Sequence, residues 1–158
     1  MPPSWPHLRY SLYAPIYDLL AGRFSRQRQR SIRLAGPGAR DRVLLVGAGT
    51  GLDLPELGGC AELVATDISP AMLARLRKRA TRLEMTVDAR VMDAEALDAP
   101  DNHYTLVVLH LILAVVDDPI RTLREVERVL APGGRVAIFD KFLPDGTTPP
   151  RWRQALNV

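Results

Sequence analysis

Three glycines and an aspartate mark the first place in this sequence where chemistry could occur. Gly47, Gly49 and Gly51 directly follow the apolar run 43–46. Because glycine has no side chain, such a turn lets the backbone come close to a ligand. Asp67 ends the next β-rich run, sixteen residues beyond Gly51. At that place its carboxylate could accept hydrogen bonds from both hydroxyls of a ribose. The spacing therefore predicts a ligand that contains a sugar.

A third signal comes from Asp93, which closes the following β-rich run and could accept a hydrogen bond from an adenine amine. Each signal also has a purely structural interpretation. A glycine turn can simply pack a strand on a helix, Asp67 can cap the helix that begins near Ser69, and Asp93 can be a surface acid. A dinucleotide fingerprint needs glycine at position 52, where Leu52 stands, so NAD and FAD are disfavoured.

The elements that must position these residues follow an alternating pattern from residue 42 onward. β-rich runs alternate with helical patterns, which predicts a doubly wound α/β fold whose mostly parallel sheet carries helices on both faces. Ser69-Pro70 and Asp118-Pro119 are helix starts, and residues 132–134, Pro-Gly-Gly, end the second helix. The predicted strands are 42–46, 62–67, 86–92, 104–110 and 135–139.

Composition limits the class of protein. The chain has 158 residues, 47% of them hydrophobic and 25% charged, which is typical of one globular domain. Cys60 is the only cysteine, which excludes an internal disulfide and a cysteine-based zinc site and favours the reducing cytoplasm. The longest apolar run, 106–116, is shorter than the roughly 20 residues of a membrane-spanning helix, and the N-terminus lacks the pattern of a secretory signal.

Positive charge is concentrated near the N-terminus, where Asp41 is the only acid among seven arginines. Such a helix could contact phosphate headgroups as a peripheral membrane element, although a solvated helix face is the simpler explanation of the pattern. Few aromatic residues interleave with the arginines, so nucleic acid is disfavoured as a partner. The arginines are Arg23, Arg26, Arg28, Arg30, Arg33, Arg40 and Arg42.

Taken together, residues 42–142 resemble the core of class I S-adenosylmethionine-dependent methyltransferases. The resemblance rests on the order of four motifs: Gly-x-Gly-x-Gly at 47–51, Asp-Ile-Ser-Pro at 67–70, Asp-Ala-Glu at 93–95 and Arg-Val-Leu-x-Pro-Gly-Gly at 128–134. More narrowly, residues 17–20, 49–55 and 116–119 are similar to bacterial phosphatidylethanolamine N-methyltransferases and to quinone C-methyltransferases. The resemblance implies methyl transfer from S-adenosylmethionine to a small-molecule or lipid acceptor, above all an amine such as a phosphatidylethanolamine headgroup.

The resemblance also implies roles for individual residues. The three glycines would cradle the methionine part of the cofactor, Asp67 would hold the ribose, Ile68 would pack on adenine, and Asp93 with the Ala94 backbone would contact the adenine edge. His110 and Leu111 would border the sulfonium, and no metal is expected. The implied cofactor-binding set is Gly47, Ala48, Gly49, Gly51, Asp67, Ile68, Met72, Asp93, Ala94 and His110.

Two side chains are candidates for catalysis. His110 has the side-chain chemistry to remove a proton from an ammonium acceptor, or it can simply form hydrogen bonds at a strand end. Tyr17, four residues after Tyr13, could close over the cofactor or present its ring to an ammonium group, while ordinary packing is the alternative.

The chain also departs from the family pattern. Leu45 stands where the family usually has an acid, and two further strands expected at the sheet edge are missing. We therefore expect an exposed fifth strand that favours a homodimer, and we keep a catalytically impaired binding protein as the alternative. The predicted organisation is one domain over 1–158, with a cap or lid region (1–41) that contains a helix over 16–35, a cofactor-binding core (42–142) and a C-terminal stub (143–158).

Overall fold

A computed structural model describes residues 24–141 of the chain. Its centre is a parallel sheet of five strands in the order β3-β2-β1-β4-β5. The strands are β1 (Arg42–Val46), β2 (Glu62–Asp67), β3 (Asp88–Val91), β4 (Tyr104–His110) and β5 (Leu130–Phe139). The order reverses direction between β1 and β4, and in open α/β sheets this is the place where ligands bind.

The predicted bounds of β1, β2 and β4 are confirmed, because these strands are apolar and almost fully buried. β3 is shorter than the predicted run 86–92. It lies at the sheet edge with mostly exposed side chains, and its pairing with β2 begins only at Asp88, opposite Val64.

β5 differs from its prediction in the opposite direction. It begins at Leu130 instead of residue 135, because Tyr104 already pairs with Leu130. The register then shifts, so that Leu106 pairs with Arg135, and the Pro-Gly-Gly segment is absorbed in this irregularity. The helix before it accordingly ends at Val129.

Within residues 24–141 three α-helices cover the sheet: α1 (Ser25–Ala35), α2 (Pro70–Arg82) and α3 (Pro119–Val129). A short 3-10 helix (Leu54–Glu56) follows the turn after β1. The predicted starts of α2 and α3 are confirmed. Ser69 Oγ accepts a hydrogen bond from the Met72 amide at 3.4 Å, and Asp118 Oδ1 accepts one from the Arg121 amide at 3.0 Å. α1 ends at Gly36, whose φ of 60° is the left-handed conformation that glycine adopts readily.

The two faces of the sheet bury separate cores. On one face, Ile32 of α1 and Leu73 and Leu76 of α2 pack with Val43 and Leu45 of β1. On the other face, residues of α3 pack against β1 and β4. The members of this second group include Val126, Val129, Leu44, Val46, Val107 and Leu109. Helices on both faces of a parallel sheet confirm the predicted doubly wound α/β class.

Several predictions fall on residues outside 24–141. The predicted helix over 16–35 is described only from Ser25 onward, and the proposed roles of Tyr17 and of the C-terminal stub stay predictions. Within the described residues β5 forms one edge of the sheet, so its pairing with a second copy also stays a prediction. No helix in this part of the chain has both the length and the apolarity needed to cross a bilayer.

Candidate functional site

A single cleft brings together most of the residues that the sequence predicts for a ligand site. It lies at the carboxyl ends of the parallel strands and contains about 1030 Å³ of empty space, including its open mouth. A cleft at this edge of an open α/β sheet is a common place for a cofactor or another small molecule. Seven residues of the implied cofactor-binding set line it: Gly47, Gly49, Asp67, Ile68, Met72, Asp93 and Ala94.

The glycine turn after β1 forms one wall of the cleft. Gly47 and Gly49 have φ angles of 64° and 55°, a conformation that other residues adopt only with strain. A Cβ atom at Gly47 would lie 2.5 Å from Ile112 Cδ1, so no larger residue fits there unless Ile112 moves. The backbone at this turn is therefore open to close approach, with Ile112 as its present neighbour across the cleft.

Asp67 stands at the end of β2 with a fixed orientation. Its two carboxylate oxygens accept hydrogen bonds from the amides of Gly49 and Ser69, each at 2.8 Å. Burial raises the pKa of Asp67, and these two backbone hydrogen bonds only partly offset that effect. Each oxygen keeps a further lone pair, so the carboxylate can still accept hydrogen bonds from a diol in the cleft. The helix-capping role belongs to Ser69, and Asp67 supports the backbone just before it.

The next strand end supplies Asp93 to the same cleft. Its Oδ1 accepts a hydrogen bond from the Glu95 amide at 2.9 Å, which orders the short turn after β3. Glu95 in turn accepts a hydrogen bond from the Asp118 amide at 2.8 Å, and this contact links the turn to the start of α3. Successive strand ends therefore contribute to one surface, as the spacing predicts.

The loop after β4 forms the opposite wall, and only Leu111 was predicted there. Asp140 holds this loop in place, because its Oδ2 accepts hydrogen bonds from the amides of Leu113 at 2.8 Å and Ala114 at 3.3 Å. The sequence feature that could have indicated this wall is the apolar run that continues past β4 to residue 116. Glu95, Val116 and Asp117 stand within the quoted motifs but were given no role from the sequence. The lining residues that no sequence pattern singled out are Met92, Ile112 and Val115.

His110 does not line the cleft, contrary to its predicted place beside the reacting centre. It is 1% exposed, and its two ring nitrogens lie 3.0 Å from Asp53 Oδ1 and 3.0 Å from Ser31 Oγ. The ring edge also packs against Phe139. The structural alternative, a histidine that forms hydrogen bonds at a strand end, describes this geometry, and contact between His110 and a ligand stays a prediction.

Ala48 and Gly51 also lie away from the cleft wall. The Ala48 amide donates to the Thr66 carbonyl oxygen at 2.8 Å, and its methyl group lies in the core. A Cβ atom at Gly51 would lie 2.9 Å from both Leu54 Cδ1 and Leu76 Cγ. Gly51 therefore serves the close packing of the turn on α2, which was the structural interpretation of a glycine at this position.

A buried ion pair that no sequence pattern predicted lies next to the glycine turn. Arg28 of α1 donates through Nε to Asp53 Oδ1 at 2.9 Å and through Nη2 to Asp53 Oδ2 at 2.6 Å. Burial acts to raise the pKa of Asp53, but hydrogen bonds from His110 and Arg28 outweigh it and keep that pKa below its ordinary value. The Arg28, Asp53 and His110 side chains thus join α1, the turn and β4.

Leu45 replaces an expected acid, and the structure shows where that replacement lies. Its side chain is 1% exposed and belongs to the core beneath α1 and α2. It is not among the residues that line the cleft. The cleft itself is rich in carboxylates, with Asp67, Asp93, Glu95 and Asp117 in its wall, so it favours a ligand that carries positive charge.

Comparison with known proteins gives a consistent result. Residues 44–138 match the model of a family described as a methyltransferase domain. The chain is 37% identical over 132 residues to a phosphatidylethanolamine N-methyltransferase of Cereibacter sphaeroides, a match that covers 82% of this chain and 65% of the relative. It is also 37% identical over 139 residues to a demethylmenaquinone methyltransferase of Thermus thermophilus, covering 83% and 63% respectively.

Among solved structures, the YcgJ protein from Bacillus subtilis superposes with a TM-score of 0.70 at 26% identity. The superposition covers 73% of this chain and 50% of that one. The chain thus spans less than two thirds of the length of the relatives that it matches.

Proposed function

The chain belongs to the class I S-adenosylmethionine-dependent methyltransferases, and from this premise we propose that it binds S-adenosylmethionine in its cleft and transfers the methyl group to an amine. One observation carries the proposal. Residues from three successive strand ends, represented by Gly47, Asp67 and Asp93, line the same cleft at the point where the strand order reverses.

The residues present fit such a cofactor. Gly47 and Gly49 would bring the backbone against its methionine part, the Asp67 carboxylate would accept from the ribose hydroxyls, and Ile68 would pack on the adenine. The bound cofactor supplies a methyl group on a positively charged sulfur, which the carboxylates of the cleft attract.

In this proposal the protein acts mainly by orientation and by exclusion of water. Met72, Met92 and Ile112 give the cleft apolar walls, and a well-aligned approach of two reactants is worth several kcal/mol of the barrier. A role for His110 as a base stays a prediction, and in this structure its ring nitrogens face Asp53 and Ser31. Tyr17 remains a proposed contact from the N-terminal segment.

For the acceptor we propose an amine, such as the headgroup of phosphatidylethanolamine. The support is the acidic wall, because the carboxylates of Glu95 and Asp117 line the cleft and would attract an ammonium group. The Cereibacter sphaeroides relative, by its name, acts on that phospholipid. A neutral quinone would gain no ionic attraction from these carboxylates.

Cys60, the single cysteine, is a free thiol and fits the cytoplasm as the proposed compartment.

Titration calorimetry with S-adenosylmethionine and S-adenosylhomocysteine tests the cofactor. Ile68→Ala should weaken binding of both ligands by about 1 to 2 kcal/mol, since it removes apolar contact area from the cleft. Ile120→Ala is the matched control, because Ile120 is also an exposed isoleucine, at 59% against 42% for Ile68, and lies outside the cleft. Absence of heat with both ligands would contradict the proposal.

A transfer assay tests the acceptor. Methyl-labelled S-adenosylmethionine should label phosphatidylethanolamine vesicles or free ethanolamine in preference to a demethylated quinone supplied in its reduced, quinol form. Labelling of the quinone alone would contradict the amine. Tight cofactor binding without transfer to any of the three would favour the alternative of a catalytically impaired protein that acts through partners.

A further inference from the structure

Positive charge is unevenly distributed over the two faces of this fold. The two helices α1 and α2 contain nine of the chain's 21 lysines and arginines and no acidic residue. Most of these cations are exposed. We call their outward surface the basic face, and it comprises Arg26, Arg30, Arg33, Arg75, Arg77, Lys78 and Arg82.

Both helices lie on the same side of the sheet, so their charges act together. Ile32 of α1 belongs to the same buried core as Leu73 and Leu76 of α2. Within α1, residues 26, 30 and 34 are four apart and form one stripe along the helix. Within α2, residues 75, 78 and 82 are three and four apart, so they also share one side of the helix. The exposed cations therefore form two rows: Arg26 and Arg30 on α1, and Arg75, Lys78 and Arg82 on α2.

The opposite side of the sheet lacks this bias. α3 carries Glu125 and Glu127 along with its three arginines. Arg128 is fully engaged there, since it donates to Glu125 and forms an ion pair with Asp101. On the basic face, Glu56 pairs with Arg33 at 3.2 Å. This single carboxylate can neutralise the charge of only one of the exposed cations.

The basic face also exposes apolar side chains beside its cations. Leu34, at the end of the α1 stripe, is 79% exposed, and Leu83, directly after α2, is 39% exposed. Neither helix contains an aromatic residue on which a nucleic-acid base could stack. Exposed leucines among cations suit the headgroup layer of a membrane, where aliphatic groups can insert between charged headgroups.

We propose that the basic face docks on the surface of a bilayer rich in anionic lipid. Each cation near such a surface adds an attraction that falls off within a Debye length, so the rows on α1 and α2 act cumulatively. In the sequence, only the arginines near the N-terminus indicate headgroup contact. The proposed surface also includes the cations of α2, which is distant from α1 in sequence. It does not depend on methyl transfer, because none of its seven cations lines the cleft.

Vesicle sedimentation tests the proposal with the full chain. Vesicles that contain phosphatidylglycerol should bind the protein, while pure phosphatidylcholine vesicles should not, and high salt should release it. The variant R75Q/K78Q/R82Q should lower the partition coefficient on the order of 100-fold, from the loss of three cations near the surface. R26Q/R30Q on α1 should act in the same direction and gives a second, independent variant.

R121Q/R124Q on α3 is the matched control and should bind as the unmodified chain does, because it removes exposed arginines from the opposite face. Circular dichroism and thermal melting check that every variant is folded.

Equal binding to both kinds of vesicle, or an equal loss of binding with the α3 variant, would overturn the proposal. Displacement of the protein from the vesicles by a single-stranded RNA oligonucleotide at equal charge would also overturn it, in favour of nucleic acid. Calorimetry with S-adenosylmethionine on the same variants should give unchanged affinities, which separates this surface from the proposed function.

Discussion

Arg28 Nη2 lies 2.6 Å from Asp53 Oδ2, and this buried ion pair fastens α1 to the turn that follows β1. The side chains are 6% and 1% exposed, so the charges are shielded from water on nearly all sides. His110 completes the group from the end of β4. Buried side chains of α1 and β4 therefore hold the turn whose glycines form one wall of the cleft.

Breaking this pair should destabilise the protein strongly. Arg28→Met leaves a buried carboxylate without its guanidinium partner, which costs about 3 to 5 kcal/mol in the free energy of unfolding. Urea denaturation measures the loss. The double variant R28M/D53L should cost clearly less than the sum of the two single variants, because no charge is then left buried and unpaired.

The control for this experiment lies on the same helix. Arg33 pairs with Glu56 at the surface, where the Arg33 side chain is 70% exposed, and Arg33→Met should cost no more than about 1 kcal/mol. Equal losses for Arg28→Met and Arg33→Met would mean that the buried pair contributes nothing special.

Acid should weaken the fold through Asp53. The pKa of Asp53 lies below its ordinary value of 3.8, because hydrogen bonds from His110 and Arg28 outweigh the effect of burial. A lowered carboxyl pKa adds stability that is present above the unfolded value and is lost as the pH falls through the folded one. Stability should therefore decline below about pH 4, and Asp53→Asn should flatten that part of the profile in urea titrations at several pH values. An unchanged slope in Asp53→Asn would assign the acid sensitivity to other carboxylates, such as Asp41.

Asp67 should matter for both the turn and the ligand. Asp67→Ala removes the acceptor for the Gly49 and Ser69 amides and for the proposed ribose hydroxyls, so cofactor affinity should fall by about 1 to 3 kcal/mol. Calorimetry measures the affinity and thermal melting the fold. Asp98→Ala, an exposed aspartate outside the cleft, is the control and should change neither. An unchanged dissociation constant in Asp67→Ala would remove Asp67 from the ribose site.

Gly51 and Gly47 should respond differently to an added methyl group. Gly51→Ala should lower the free energy of unfolding by about 1 to 3 kcal/mol, because its Cβ meets Leu54 and Leu76 and its φ is 79°, but it should leave the affinity of the folded protein nearly intact. Gly47→Ala should weaken cofactor binding as well, since its Cβ would occupy the cleft beside Ile112. Gly58→Ala, with open space around it, is the control for both. Loss of affinity in Gly51→Ala at full folding would return Gly51 to the ligand site.

The fold class and several strand bounds could be predicted from the sequence because they depend on local patterns. Apolar runs specify the central strands, and Ser69-Pro70 and Asp118-Pro119 start helices through interactions within a few residues. The cleft residues Gly47, Asp67 and Asp93 could be predicted for a related reason. Parallel strands present all their carboxyl ends at one edge of the sheet, so strand ends that are separate in sequence must meet there.

Tertiary structure alone decided which way the side chains near those strand ends point. His110 and Leu111 are adjacent in sequence, yet His110 is buried against Asp53 while Leu111 lines the cleft. Leu111 lies just after β4, and its φ of 60° turns the chain there, so its direction does not follow the alternation of side chains along the strand. The pairing of Arg28 with Asp53 and the union of α1 and α2 in one basic face likewise depend on contacts between distant parts of the chain, which no local pattern encodes.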